Sequence, residues 1–273
     1  MTEAMDKTGE RLIPDKYSSK EEYLMYLRHI FAYNYAINQI SKNDLVLEVG
    51  SGEGYGTNIL STKAKSIIGL DVDPEAIKHA KNKYKSKKCE FIHYSGDKLP
   101  FPDNKFDKVI SFQVIEHVVD DEKYLKEIYR VLKTNGDFIV STPNRNHRLK
   151  PNQKPWNRFH LKEYSPESLS ELLSKKFKGV KIWGIFGVDE VQDIEVNRIK
   201  KVRRIISLDP IGIRNMLPES MKLKAAKLAR IVSYDRKNAK SDDSYLQKYT
   251  AESYKLKKSD SSDSLDIFAH CKK

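Results

Sequence analysis

Cysteine is scarce in this chain, and long apolar runs are absent. Its 273 residues include only Cys89 and Cys271, far apart in sequence, which excludes a disulfide framework and a cysteine-based zinc site. No stretch approaches the roughly 18 uncharged apolar residues that a membrane-spanning helix needs. The first 20 residues also lack the apolar core of a secretory signal. Together these absences predict a globular protein of the cytoplasm.

Positive charge is concentrated in one part of the chain. The net charge is +12, from 50 lysine and arginine residues against 38 acidic residues. Residues 198–240 contain 13 of these cations and three acids, so a net charge of +10 lies in this basic segment. Segregated positive charge indicates an anionic partner, such as a phosphate, an acidic glycan, a nucleic acid or a membrane surface.

Short apolar runs alternate with helical patterns from residue 44 to residue 186. The runs predicted as buried strands are 44–49, 66–72, 90–94, 108–112 and 136–142. The helices between them carry start signals, and Asp73-Pro74-Glu75 combines an N-cap, an N1 proline and a first-turn acid. This alternation predicts an α/β fold with a Rossmann-like, doubly wound and mostly parallel sheet covered by helices on both faces.

The two ends of the chain depart from this alternation. Residues 1–43 predict an N-terminal lid or helix rich in aromatic side chains, and residues 187–263 predict a basic helical insertion. Residues 264–273 return to strand character. We therefore expect one domain made of 44–186 together with 264–273, interrupted by the helical insertion before its last strand.

The strongest local signal is a glycine-rich turn between the first strand and the first helix of this domain. Gly50, Gly52 and Gly54 are spaced by two residues, and Glu48 precedes them. Glycines at such a turn let a ligand approach the backbone next to a helix N-terminus. The spacing matches neither G-x-G-x-x-G nor a phosphate-binding loop ending in Gly-Lys-Ser/Thr. A carboxylate at Glu48 suits a cationic amino group better than a pyrophosphate.

Two further acids follow the next two strands. Asp71 ends the second strand, where a carboxylate accepts hydrogen bonds from the hydroxyls of a ribose. Asp97 follows the third strand and suits the exocyclic amine of an adenine. An amino acid, a ribose and an adenine placed along consecutive strand ends amount to S-adenosylmethionine (SAM).

The same segments resemble class I SAM-dependent methyltransferases, in the branch of ubiquinone-biosynthesis O-methyltransferases and of methyltransferases from polysaccharide clusters. Four motifs occur in the order of that family: VLEVGSGEGYG, IIGLDVDPEAIKHAK, GDKLPFPDNKFDKVISFQVIEHV and VLKTNGDFIVSTPN. The resemblance implies SAM as the cofactor and a seven-stranded sheet whose last strand is antiparallel. It also implies that Gln113 to His117, after the fourth strand, face the cofactor and the acceptor. Ubiquinone-type enzymes carry a second acid where Gln113 stands, and some bind a divalent metal there, so we predict no metal site.

Two histidines are candidates for catalysis. Transfer of a methyl group to oxygen needs an acceptor hydroxyl that loses its proton, and a histidine that titrates near neutrality suits a general base. His160 follows the fifth strand, beside the expected acceptor pocket, and its alternative role is to hold a loop by hydrogen bonds. His117 is the second candidate base.

These observations predict a SAM-dependent methyltransferase that O-methylates a glycan, a lipid-linked saccharide or a quinone-like small molecule. One alternative is an RNA or protein methyltransferase that uses the basic insertion, and another is a non-catalytic SAM-fold binding subunit. The basic segment, residues 198–240, predicts either a lid over the acceptor pocket or a peripheral contact with an anionic membrane. No RNA-binding module accompanies it, which argues against a nucleic-acid partner.

Overall fold

A computed structural model describes residues 14, 17, 19–207, 244–258 and 263–273. Eight strands of this part of the chain form one sheet. Their bounds are β1 Leu45–Val49, β2 Ser66–Asp71, β3 Cys89–His93, β4 Phe106–Phe112, β5 Leu132–Pro143, β6 Lys178–Gly187, β7 Tyr254–Lys258 and β8 Asp266–Lys272. Their order across the sheet is β3-β2-β1-β4-β5-β8-β6-β7.

The sheet is mostly parallel. Strands β1 to β5 pair in parallel, whereas β8 lies between β5 and β6 and is antiparallel to both. The predicted Rossmann-like α/β fold with an antiparallel last strand is therefore confirmed. The order reverses between β1 and β4, because the chain builds outward to β3 and then returns to the other side of β1. In open α/β sheets, ligands bind at such a switch point, at the carboxyl ends of the strands.

An eighth strand, β7, adds to the seven that the resemblance implies. It pairs antiparallel with β6 at the sheet edge, within residues that the sequence predicts as a helical insertion. Its apolar side chains, Tyr254 and Leu256, alternate with exposed lysines. This is the period of a strand with one buried face, but a five-residue run among so many charges gives a weak signal.

Helices cover both faces of the sheet. They are α1 Lys20–Asn38, α2 Tyr55–Ser61, α3 Pro74–Lys83, α4 Asp121–Val131, α5 Arg145–Arg148, α6 Pro166–Ser174, α7 Glu190–Ser207 and α8 Tyr245–Lys248. Local caps explain several starts: Asp73, Asp120 and Ser165 accept hydrogen bonds from backbone N–H groups in the first turns of α3, α4 and α6. One buried core contains Leu125 of α4 and Leu169 of α6, and the other contains residues of α1, α2 and α7.

A buried ionic cluster connects α1 with α7 and β8. The Arg28 guanidinium on α1 lies 3.1 Å from a carboxylate oxygen of Glu195 on α7 and 2.9 Å from one of Asp266 on β8. The hydroxyl of Tyr254 on β7 donates to the Leu24 carbonyl of α1 at 2.7 Å. Helix α1 is therefore fixed to three other elements, and it forms a roof over the carboxyl end of the sheet. The predicted domain boundaries, including the lid at 1–43, stay predictions.

Candidate active site

A cavity of about 590 Å³ opens where the strand order reverses. Its floor is made of the segments that follow three strands, 50–53 after β1, 71–74 after β2 and 112–114 at the end of β4. Side chains of α1 form the roof, and Arg148 and Phe159 form the wall beyond β5. This volume is within the range that holds a complete small-molecule ligand.

The predicted glycine turn lies at the cavity, but its three glycines have different structural roles. Gly52 has φ +47°, and a Cβ added there would meet no atom within 4 Å, so its backbone is open to a ligand. A Cβ on Gly50 would lie 2.2 Å from Cγ2 of Val114, and one on Gly54 would lie 2.7 Å from Cβ of Ala80. Gly50 and Gly54 therefore permit close packing of the loop, whereas Gly52 is the one suited to ligand approach.

Asp71 has a fixed orientation at the cavity, and its contact with a ribose stays a prediction. It lines the cavity, is 9% exposed, and its two carboxylate oxygens accept from the backbone N–H groups of Gly52 at 2.8 Å and Asp73 at 2.9 Å. These bonds fix the carboxylate plane while each oxygen retains a second lone pair. Two neighbouring hydroxyls can therefore be accepted side by side.

Glu48 is buried beside the glycine turn. It is 1% exposed, lies outside the cavity lining, and accepts from the Tyr33 hydroxyl of α1 at 2.5 Å and from the Thr57 hydroxyl of α2. Glu48 therefore joins the glycine turn to α1 and α2, and its expected contact with a cationic amino group stays a prediction. Burial raises the pKa of Glu48 to about 7, against the two hydroxyl bonds, which lower it.

Glu48→Gln is expected to remove a pH-dependent loss of stability. The pKa of Glu48 is higher in the folded state than in the unfolded one. The stabilising contribution of Glu48 to the free energy of unfolding is therefore present below pH 4.5 and is lost as the pH rises through about 7. The loss is on the order of 3 kcal/mol. Urea unfolding between pH 4.5 and 8 measures it, as the difference between parent and variant at each pH. A difference that does not change with pH would contradict this assignment.

Asp97 lies outside the cavity lining, and its predicted contact with an adenine stays a prediction. Its side chain is 77% exposed and 3.4 Å from the Lys123 ammonium, and it does not line the cavity. The wall near Asp71 is formed by Tyr94 and Val72, which are not among the predicted site residues. An aromatic ring beside an aliphatic side chain offers a stacking surface for a purine. The aromatic residue after the run EFIH is the sequence signal that could have indicated it.

The structure separates the two candidate bases. His117 lines the cavity, and its Nδ1 lies 2.9 Å from the Phe159 carbonyl oxygen. His160 is fully buried behind it, outside the cavity lining, with Nδ1 2.7 Å from a carboxylate oxygen of Glu163. The two rings meet edge to face at 4.9 Å between centroids. Of the two histidines, His117 is the one that lines the cavity, and the action of His160 as a base stays a prediction.

Gln113 lines the cavity at the end of β4. It has a positive φ of 57°, and its side-chain amide donates to the Ser141 hydroxyl at 3.3 Å. A left-handed conformation is uncommon outside glycine and clusters at functional sites. Its predicted contact with the cofactor is consistent with this position and stays a prediction.

Several cavity residues come from elements that the motifs do not cover. Met25, Arg28, His29 and Tyr33 of α1 surround the side of the cavity away from Asp71. Their only sequence signal is the aromatic-rich pattern of the N-terminal helix. Arg148 completes this side: its Nε donates to Glu163 at 3.1 Å, and its guanidinium lies 4.2 Å from the Trp156 ring centre. Apolar surface with a few convergent polar groups characterises an acceptor pocket.

The basic segment is described only up to Ser207, and residues 208–243 lie outside the described part. On α7, Arg203 donates to the carbonyls of Arg148 at 2.9 Å and of His147, at the end of α5. Lys200, Lys201 and Arg204 are exposed. Arg203 is thus engaged within the fold, whereas lid and membrane contact both stay predictions. Among the residues that the structure describes, no helix has the length and apolar character to cross a membrane.

Comparison with known proteins identifies the family that this chain is similar to. A family model described as a methyltransferase domain matches residues 47–140. A "Probable S-adenosylmethionine-dependent methyltransferase" of Mycobacterium tuberculosis is 35% identical over 189 residues, 69% of this chain and 67% of that relative. A "Ubiquinone/menaquinone biosynthesis C-methyltransferase" of Rickettsia bellii is 35% identical over 138 residues, 46% of this chain and 56% of that relative. The matches thus span about two thirds or less of the relatives' own length.

A solved SAM-dependent methyltransferase of Thermotoga maritima is similar to this chain in fold. The TM-score is 0.56 at 18% sequence identity, over 98% of this chain and 99% of that one. At this identity the likeness concerns the fold alone.

Proposed function

The chain belongs to the class I SAM-dependent methyltransferases, and on that basis we propose that it methylates a hydroxyl group of a small-molecule acceptor. The acceptor classes are a glycan, a lipid-linked saccharide or a quinone-like molecule. The rickettsial relative is named for quinone biosynthesis, which supports the last of these, although its name specifies methylation of carbon. The observation that carries the proposal is one cavity that extends from Asp71 to His117.

The cofactor end of the cavity fits SAM. Asp71 presents two oriented carboxylate oxygens, the Gly52 backbone is open to a ligand, and Tyr94 and Val72 form an apolar wall beside them. SAM supplies a methyl group on a positively charged sulfur, which makes that carbon electrophilic. The contribution of the protein is then to hold the acceptor in line with this methyl group and to exclude water.

The acceptor end contains the group that acts on the hydroxyl proton. His117 faces the cavity, and its Nδ1–H donates to the Phe159 carbonyl, which leaves the lone pair of a neutral ring on Nε2. His160 and Glu163 lie behind His117 and support the loop that carries Phe159. We assign proton removal from the acceptor to the His117 end, with His160 as a positioning residue.

Methyl transfer is tested by combining two measurements on the same protein. Isothermal titration with SAM should give one saturable site. Incubation with tritiated SAM should label one fraction among a lipid extract, a glycan pool, total RNA and a set of small phenols. Label in the RNA fraction would overturn the acceptor class. SAM binding without any labelled fraction would favour a non-catalytic binding subunit.

Asp71→Ala is expected to weaken SAM binding by about 1.5–3 kcal/mol, because hydrogen bonds to a charged group are lost. This corresponds to a dissociation constant roughly 10–150 times higher. Isothermal titration measures it, with Glu122→Ala, which removes an exposed acid outside the cavity lining, as the control. Unchanged affinity in Asp71→Ala would refute the ribose assignment.

A further inference from the structure

Exposed lysines are concentrated at one edge of the sheet, which we call the lysine edge. The loops that lead into β2 and β3 meet there, because parallel neighbouring strands have their amino ends at the same edge. The last turn of α3 ends at this edge as well, since α3 runs back from the end of β2 to the start of β3. The lysine edge is defined by six exposed residues, Lys63, Lys65, Lys81, Lys85, Lys87 and Lys88.

Two adjoining grooves join these lysines into one continuous surface. One groove has a volume of about 270 Å³ and the other of about 390 Å³, and Lys87 lines both. Lys88 lines the first groove, whereas Lys81 and Lys85 line the second. The start of β2 lies beside them, because the Ile67 N–H donates to the Lys88 carbonyl at 2.8 Å.

The positive charge of the lysine edge is not neutralised within the described part of the chain. None of its six ammonium groups forms an ion pair there with a carboxylate, and Glu90 is the one acid among the described residues that line the two grooves. Lys133, by contrast, lies 2.8 Å from Asp107 at the amino end of β4. Like charges that are held together without a counter-charge repel one another and lower the stability of the fold. An anion bound from outside would remove this repulsion.

The opposite edge of the sheet carries acids. The carboxyl ends of the strands surround the cavity there, and Glu53, Asp71 and Asp73 belong to its lining. Strands β1 to β4 contain five to seven residues, so the two edges are separated by roughly 17–23 Å. A partner bound at the lysine edge therefore leaves the cavity accessible.

We propose that the lysine edge docks on an anionic membrane surface. A membrane presents a planar array of anionic headgroups, which lysines from neighbouring loops can face together, and each such lysine strengthens binding about fivefold. The lysine ammonium acts as a point charge and needs no fixed bidentate geometry. No large apolar side chain of the described residues at this edge is exposed, so the contact is electrostatic and reversible.

A single-stranded nucleic acid fits this surface less well. Proteins that bind such strands stack the bases on aromatic side chains. Tyr84 lines the second groove but is half-buried, and no aromatic side chain is exposed in the ranges that the structure describes. The six cations are also all lysines, whereas arginine is the residue of choice for phosphates of nucleic acids.

Docking in this orientation narrows the acceptor class, a step that rests on the proposed function. With the lysine edge at the headgroups, the cavity lies at the end of the sheet away from the bilayer. A quinone ring within the bilayer could not reach it, whereas the glycan of a lipid-linked saccharide extends into water. Docking at the lysine edge therefore favours the glycan as the acceptor.

Sedimentation of the full-length protein with vesicles tests the docking surface. Vesicles of equal parts phosphatidylcholine and phosphatidylglycerol present the anionic surface, and vesicles of phosphatidylcholine alone are the neutral control. At about 50 mM salt, where screening is weak, the parent should sediment with the anionic vesicles and stay in solution with the neutral ones. At about 500 mM salt it should be released, because the Debye length then falls to roughly 4 Å.

Reversal of four charges locates the contact. The lysine-edge variant should lose at least about a hundredfold in vesicle affinity, since each lysine contributes about fivefold, and it combines Lys63→Glu, Lys85→Glu, Lys87→Glu and Lys88→Glu. The matched control changes the net charge equally but uses exposed lysines outside the lysine edge. It combines Lys126→Glu, Lys150→Glu, Lys154→Glu and Lys255→Glu, and its affinity should stay within about fivefold of that of the parent.

Three results would overturn the proposal. They are no sedimentation of the parent with anionic vesicles, equal losses in both quadruple variants, and full affinity in the lysine-edge variant. Retention of the parent on polyuridylate without vesicle binding would replace the membrane by a nucleic acid. Circular dichroism checks folding, and if the quadruple variant is unfolded, Lys87→Gln with Lys88→Gln decides the result through an expected loss of roughly 25-fold.

Titration with SAM separates the docking surface from the proposed function. The parent and the lysine-edge variant should bind SAM alike, because the cavity lies at the opposite edge of the sheet. A parent that binds vesicles but not SAM would contradict the proposed function and leave the docking surface in place. A parent that binds SAM but not anionic vesicles would remove the docking surface alone.

Discussion

Arg28→Met is expected to lower the free energy of unfolding by about 3–5 kcal/mol, the usual cost of removing one partner from a buried ion pair. Arg28 is 5% exposed and faces two buried carboxylates, Glu195 and Asp266, at 3.1 and 2.9 Å. Methionine restores most of the side-chain volume but none of the charge. Two carboxylates would then remain in the interior, with Arg198 still 3.1 Å from Glu195.

Equilibrium urea unfolding of parent and variant measures the effect. Arg28 and Arg198 lower the pKa of Glu195, against the effect of burial, so its stabilising contribution exists at neutral pH and is lost as the pH falls. In Arg28→Met the carboxylates left behind can take up protons. The difference in free energy of unfolding between parent and variant should therefore become smaller toward acidic pH. Lys175→Met, which removes an exposed pair with Glu122, should change stability by less than about 1 kcal/mol. A deficit of that small size for Arg28→Met would show that the cluster is not stabilising.

His117→Ala is expected to lower kcat by roughly 10²–10⁴-fold, the usual contribution of proton transfer by a positioned side chain. The dissociation constant for SAM should stay close to that of the parent, because Asp71 and Gly52 lie at the other end of the cavity. Single-turnover methyl transfer and SAM titration on the same preparation measure the two quantities. The loss of kcat follows because the imidazole that removes the acceptor proton is absent from this variant.

His160→Gln distinguishes position from direct contact. His160 does not line the cavity, so its replacement should lower kcat less than His117→Ala does. Because the His160 ring contacts the His117 ring, the replacement should also shift the pH dependence of kcat. Equal losses of kcat and SAM affinity in His117→Ala would return this residue to a structural role. A larger loss of kcat in His160→Gln than in His117→Ala would instead restore His160 as the primary group.

The sequence predicts the sheet well and places Gly52 and Asp71 near each other, because both depend on local patterns. Gly52 and Asp71 belong to neighbouring strand ends, and any parallel sheet with this order brings them together. The contact of Glu48 with Tyr33 could not be predicted, because Tyr33 comes from a helix that precedes the sheet. The exposed position of Asp97 beside Lys123 likewise has no signature in the spacing of the motifs.

The choice between the two histidines shows the same limit more sharply. His117 and His160 are separated by 43 positions, and both follow strands that end at the cavity. Which ring faces the ligand depends on the buried pair His160–Glu163 and on the Phe159 carbonyl, which hold one ring behind the other. Hydrogen bonds between side chains of separate loops have no periodic signature, so spacing and residue type could name both histidines but could not rank them.

The position of β8 determines the order in which the sheet can be completed during synthesis. Strand β6 reaches β5 only through β8, whose residues follow β6 by about eighty positions in the chain. Until the ribosome has released residues 266–272, the five parallel strands have an open edge at β5, and β6 has no place in their sheet. Pairing across such long separations is slow relative to local structure formation. Until β8 has been synthesised, β5 therefore lacks the partner that it has in the folded sheet.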